Sequence, residues 1–256
     1  MNRIKDSLVI TRSNDELRTQ AFNIEMHLIN EYINSKNWVV ALQRIQSMQT
    51  RYTDNAFVAH INAILARCHF ALGSYMQSLE AARLIPANSD FDTTKTLCAV
   101  QSMYAIHNYK GVWEWCDSLD FSAFSPEKRN LLVWLVIESG VAIGVDTDFS
   151  RIAGHMAKST PYHLRIMHSL ARSYVQKRQV ETAISVLQSA LAIKPETTME
   201  DEARRRILLT LARTYYEGGA FDKALKCYFD LLSDEADFEE ALYGMSWCYI
   251  RLGMFQ

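Results

Sequence analysis

The chain has 256 residues, 49% hydrophobic and 22% charged, which is the balance of a soluble globular protein. Gly (9) and Pro (4) are scarce, which excludes collagen-like and Pro/Gly-rich disordered chains and argues against a sandwich or barrel turning every few residues. The formal net charge of −2 argues against a general nucleic-acid binder, and the longest apolar run, residues 131–137, is too short for a membrane-spanning helix. Five scattered cysteines (Cys68, Cys98, Cys116, Cys227, Cys248) form no CxxC pair. Buried thiols in a reducing compartment are therefore expected rather than zinc or a disulfide framework. The first residues lack the apolar stretch of a signal peptide, so the cytoplasm is the expected location.

Taken in chain order, residues 1–16 read as an N-terminal arm. Residues 1–12 carry no clear period and are expected to be extended or frayed, and Ser13-x-x-Glu16 offers a capping box for a first helix. Residues 17–126 show a recurring pattern. Asn37-Trp38 with Ala41-Leu42 and Ile45 gives one copy, and Gly73-Ser-Tyr75 recurs 34 residues later as His107-Asn-Tyr109. Residues 127–160 read as a degenerate helix pair. Bulky Trp134 falls where a small residue is expected, and Val141-Ala-Ile-Gly144-Val-Asp-Thr-Asp148 lengthens the turn. Ser125-Pro126 and Thr160-Pro161 each place an N-cap candidate before a Pro suited to a first helical position. Trp113, Trp115 and Trp134 cluster around this stretch, read as core packing or as an apolar patch facing a partner.

Residues 161–256 give the clearest pattern. Leu208-Leu-Thr-Leu211-Ala212-Arg-Thr-Tyr215 leads to Gly219-Ala-Phe221. The equivalent Leu242-Tyr-Gly-Met245-Ser246-Trp-Cys-Tyr249 leads to Gly253-Met-Phe255, each match offset by 34. Met167-His-Ser-Leu170-Ala171-Arg-Ser-Tyr174 is a further copy, separated by a seven-residue insertion near residues 194–200, and Glu200-Asp-Glu202 sits at an expected helix start. Leu208, Leu211, Ala212 and Tyr215 share one helical stripe. Ala224, Leu225, Tyr228, Leu231 and Leu232 form the facing one. One such pair cannot bury its own stripe, so neighbouring units must stack.

These residues resemble the tetratricopeptide repeat family, whose unit is a 34-residue helix–turn–helix. The resemblance implies an all-α fold: an α-solenoid of antiparallel helix pairs wound as a right-handed superhelix, about six pairs plus one final helix. First helices would line a concave face. Ala171, Ala212 and Ser246 stand where the family carries Gly, and all are small. The last unit stops at Gly253-Met-Phe255-Gln256, after its first helix. A longer repeat protein, or an end covered by a partner, is expected, with self-association through the uncapped C-terminal end as one form of that.

No phosphate loop, GxGxxG, HExxH or GxSxG motif occurs, and the seven histidines are scattered. No catalytic residue, cofactor or metal is assigned. The positive signal lies on the expected groove face of the last three first helices: Arg165, His168, Arg172, Arg206, Arg213, Tyr216, Tyr243, Trp247 and Arg251. Arg172, Arg213 and Trp247 are equivalent positions, matched upstream by Asn30, Arg67, Gln101 and Leu135. Arginine forks suit carboxylates, and aromatic rings supply contact area. A non-catalytic scaffold or adaptor gripping a protein segment, one of acidic character included, is the expected function. The competing reading pairs these arginines with Glu202, Glu217 and Glu240. At the places of the family's two-carboxylate clamp stand His168, Arg172, Thr210, Glu240 and Gly244. Only Arg172 is of a suitable type, so chaperone-tail binding is not expected. A regulatory part of a larger enzyme is an alternative. An RNA-binding repeat is another, disfavoured because the groove positions differ from unit to unit. Neither nucleic acid nor membrane is an expected partner.

Overall fold

The computed structural model describes residues 2–254 except 88, 158–161 and 233–235, with side chains described from residue 15 on, apart from Ala56. Among the described residues all regular structure is helical. The chain divides into two compact units, Met1–Asn108 and Tyr109–Gln256. The boundary falls inside the stretch read from sequence as one run of repeats, residues 17–126.

The first unit holds α1 (Asn2–Asn34), α2 (Trp38–Gln49), α3 (Asn55–Ala71), α4 (Tyr75–Arg83) and α5 (Asp92–Ala105). Each helix packs on the next, and α3 also packs on α5. Residues 1–12, expected to be extended or frayed, are helical from Asn2, and Ser13 lies inside the helix rather than at its cap. The physical reason is that residues 2–34 contain neither Gly nor Pro, so nothing stops the helix before Lys36. Phe22, Met26, Ile29 and Ile33 supply the buried stripe of α1. Phe22 anchors an aromatic knot, its ring centroid 5.1 Å from Tyr52 and 4.4 Å from Phe57. Small buried residues, Ala41, Ala63, Ala66, Ala82 and Ala99, let the backbones approach. The Ser78 hydroxyl donates to the Ala66 carbonyl across α3 and α4 at 2.8 Å.

The second unit holds α6 (Tyr109–Cys116), a 3₁₀ turn (Phe121–Ala123), α7 (Pro126–Ala142), the short α8 (Ser150–Ala153), α9 (His163–Gln176), α10 (Val180–Leu191), α11 (Thr198–Glu217), α12 (Phe221–Leu231) and α13 (Phe238–Leu252). From α9 onward each helix packs on its successor, and α7, α9, α11 and α13 pack on one another in that order. That is the contact pattern of stacked helix pairs. Ser125 and Pro126 open α7 as expected, whereas Thr160-Pro161 lies outside the described residues. The seven-residue insertion lengthens a helix: α11 has 20 residues against 14 in α9. Its start is fixed by Thr197, whose hydroxyl accepts from the Glu200 amide while the Glu200 carboxylate accepts from the Thr197 amide. The core is made of Leu164, Ala171, Leu187, Ile207, Leu211, Ala212, Tyr215, Ala224, Tyr228, Leu231, Ala241 and Met245. Ala171 and Ala212, at the family's Gly place, are fully buried.

One backbone feature marks every unit. Among the described residues, left-handed φ occurs at Lys36, Gly73, His107, Gly144, Arg178, Gly219 and Gly253. They follow α1, α3, α5, α7, α9, α11 and α13 in turn. The next residue's amide donates back to a carbonyl five residues earlier: Asn37 to Tyr32, Ser74 to His69, Asn108 to Met103, Val145 to Gly140, Gln179 to Tyr174, Ala220 to Tyr215 and Met254 to Tyr249. These are Schellman C-caps, which satisfy carbonyls the helix end leaves open. Gly144 lies 34 residues before Arg178, so the degenerate stretch keeps the register that Trp134 obscured. What departs there is the second helix, α8, reduced to four residues.

Candidate functional site

The nine expected groove residues come from α9, α11 and α13, three successive first helices that pack side by side. The structure divides them into two groups. On α9 and the first half of α11 the cations are already engaged. Arg172 places its guanidinium 3.0 Å from Glu138 on α7, a carboxylate that also accepts from the Ser169 hydroxyl. Arg165 lies 3.6 Å from Glu202 and over the Trp134 ring, 5.1 Å from its centroid. Arg206 pairs with the same Glu202 at 2.6 Å, one helical turn away. His168 Nε2 meets the Thr210 hydroxyl at 2.8 Å, tying α9 to α11. Burial pushes this imidazole down to about 4, helped by the positive charges of Arg172 and Arg206.

The second group forms a trough. Arg213, Tyr216, Glu217, Tyr228, Glu240, Tyr243, Gly244 and Trp247 line a cavity of about 430 Å³ on α11, α12 and α13. Arg213 pairs with Glu240. Tyr243 and Trp247, one helical turn apart, meet with ring planes at 80° and centroids 6.1 Å apart. They remain 65% and 42% exposed. Arg251 stands beside the trough, its Nε 3.4 Å from the Tyr216 hydroxyl.

Tyr228 and Gly244 shape the floor. A Cβ built on Gly244 would lie 2.5 and 2.7 Å from Cε1 and Cε2 of the Tyr228 ring, and closer still to Cζ. The ring therefore lies against the α13 backbone, which only a glycine permits. Sequence inspection placed Tyr228 in a packing stripe and Gly244 at a clamp position, and associated neither with the groove. The signal available was a glycine inside an otherwise apolar helical pattern, a mark of close approach.

One upstream expectation changes. Leu135, assigned to the groove face, is 3% exposed. The 34-residue register that joins Gly144 to Arg178 puts Glu138, not Leu135, at the place of Arg172. Leu135 instead faces inward, with Leu132, Val133, Val136 and Ile137, where α7 packs against α6, α8, α9 and the 3₁₀ turn. Of the two readings of the tryptophans, core packing holds for Trp113 and Trp134, at separate places. Trp113 packs edge-on to Phe149 at 5.9 Å, while Trp134 stacks on Tyr162 at 5.8 Å. A smaller recess of about 270 Å³ lies between α6, α7 and α8, with Trp113, Asp148, Arg151 and His155 on its walls. Its Asp148 is occupied by the amide and hydroxyl of Ser150.

Among the described residues no group of three His, Cys, Asp or Glu side chains is placed to hold a metal ion, and no helix is long and apolar enough to cross a membrane. All five cysteines are buried and free. The outer side of α13 leaves Leu242, Tyr249 and Ile250 exposed, and Ser246 with them, where the equivalent Ala212 is fully covered.

The comparisons with known proteins agree with the helix pairs. Residues 174–243 match the family model described as tetratricopeptide repeat. No curated protein matches the chain. The family's repeats generally mediate protein–protein interactions and are typically non-catalytic.

Proposed function

We propose that this chain, a tetratricopeptide repeat protein, is a non-catalytic adaptor that holds a segment of a partner protein along α9, α11 and α13. The trough between α11 and α13 is the anchoring point. One observation carries this reading: Tyr243 and Trp247 stand 65% and 42% exposed on a first helix, at the wall of a 430 Å³ trough. Solvent-exposed rings beside a cavity have the properties of an interface anchor, offering large rigid area at low entropy cost. The arginines of α9 orient that face through their ion pairs with Glu138 and Glu202. The open outer side of α13 supports self-association as a second use of the same end, tested by sedimentation over a range of concentrations. Constant mass would refute it.

The test selects peptides from a random library on the parent chain and compares their affinity for Tyr243→Ala/Trp247→Ala and for Phe229→Ala. Phe229 is 66% exposed but outside the trough. The double variant should lose roughly tenfold or more, as anchors of this type do, and Phe229→Ala should lose nothing. Equal binding by all three chains would refute the reading.

A further inference from the structure

The charges and rings of the trough specify the side chain it would seat. Arg213 and Glu240 neutralise each other across it. Glu217, in contrast, is exposed and has no ion pair or hydrogen-bond partner among the described residues. Arg251 is a cation beside the trough rather than in its lining, and its Nε faces the hydroxyl end of Tyr216. The uncompensated charge within the lining is therefore negative.

The rings agree with that sign. Tyr243 and Trp247 make a corner of nearly perpendicular planes, and both keep exposed surface. Tyr216 and Tyr228 add two further rings to the lining. Aromatic faces carry a negative quadrupole, which attracts ammonium and guanidinium groups and repels carboxylates. A guanidinium also has donors enough to stack on a ring and bond a carboxylate at once.

We infer that the trough seats an arginine or lysine side chain from a basic partner segment, the rings of Tyr216, Tyr243 and Trp247 taking the cation and Glu217 accepting its N–H donors. This rests on the segment-binding reading above and fixes the chemistry of its anchor. It reverses the sign that counting the groove arginines suggests, because Arg165, Arg172, Arg206 and Arg213 are engaged by Glu138, Glu202 and Glu240, and Arg251 stands outside the lining.

Three nine-residue peptides, identical except for a central arginine, citrulline or glutamate, test the proposal. Each is titrated into the full chain while the Trp247 indole N–H resonance is followed, assigned with Trp247→Phe. Citrulline keeps the shape of arginine and removes its charge. The arginine peptide should bind roughly fivefold or more tightly than the citrulline one, the scale of a modest cation–ring attraction, and the glutamate peptide should bind most weakly. Glu217→Gln should erase most of the arginine advantage and leave citrulline binding unchanged. Citrulline binding as tightly as arginine, or glutamate tighter than either, would overturn the cationic seat while leaving the segment-binding reading intact. No shift at Trp247 with any of the three would overturn the seat too. The segment-binding reading falls separately, when the library-selected peptides also leave that resonance unmoved or bind the trough variant as they bind the parent.

Discussion

Replacing Gly244 by alanine sets two effects against each other. In a helix interior, Gly→Ala normally stabilises by about 1 kcal/mol. Here the new methyl would sit 2.5 and 2.7 Å from two carbons of the Tyr228 ring, where carbon pairs rest at about 3.5–4.0 Å. The ring must retreat by about 1 Å, a shift set by that contact shortfall. Tyr228 is 4% exposed and packed in the α11–α13 core, so it has no free space to enter. Overpacking of this kind costs about 1–3 kcal/mol, which outweighs the propensity gain. The net expectation is a loss of up to about 2 kcal/mol, which at about 2–4 °C per kcal/mol is a fall of up to about 8 °C in thermal midpoint for a chain of this length. Thermal and urea melts of Gly244→Ala, Tyr228→Leu and the double variant provide the assay. Once leucine replaces the ring, Gly244→Ala should become neutral or stabilising, so the two changes must be strongly non-additive. If Gly244→Ala stabilises the parent chain, the ring does not lie on the α13 backbone, and the described trough floor is wrong.

The left-handed caps give a paired prediction. Arg178→Gly should stabilise by about 0.5–1 kcal/mol, since a side chain there strains the backbone, and Gly219→Ala should destabilise by about 1 kcal/mol. The second loss is purely conformational, because a Cβ at Gly219 meets nothing within 4 Å; urea midpoints that move in the opposite directions would remove these caps from the account. His168 is held down to about 4 by burial and two arginines, so below its ordinary value of 6.5 the unfolded chain takes up a proton the folded chain refuses. Its contribution is complete above pH 6.5 and is lost as the pH falls toward 4, by on the order of 3 kcal/mol. His168→Gln should flatten that part of the stability–pH curve, and an unchanged slope would contradict it. Burial raises the thiols of Cys68, Cys98 and Cys227 to about 11 and that of Cys116 to about 12. At pH 8 a disulfide reagent should modify them only as fast as the chain opens. Reaction at the rate of a free thiol would show an exposed cysteine.

The helix pairs were readable because their signal is local. Tyr215 with Gly219 and Tyr249 with Gly253 repeat at a fixed offset, and each pair marks a helix end that must be capped. The offset from Gly73 marked His107 as the same cap, but Arg178 hid it, since arginine does not suggest a left-handed residue, and Lys36 gave no cue at all. The helical start of the chain was missed because residues 1–12 lack a period, although absence of Gly and Pro is the better guide there. In the groove, the reading that pairs the arginines with glutamates named Glu202 and Glu240 correctly, but it named Glu217 where the structure has Glu138. Whether Arg172 is free depends on Glu138, which lies 34 residues away on another helix. Leu135 was a slip of register, since the fixed offset puts Glu138 at the place of Arg172. The Tyr228–Gly244 contact, in contrast, depends on which helices cover which faces, and that is decided by packing between units rather than by the order of residues within one.

The claim that a partner segment lies in the α11–α13 trough is tested most directly by photocrosslinking. A benzophenone side chain is placed either at position 243, on the trough wall, or at position 229, exposed outside it. The account predicts that a library-selected peptide is captured from position 243 and not from position 229. Capture from position 229 alone would place the partner on a different face and contradict it.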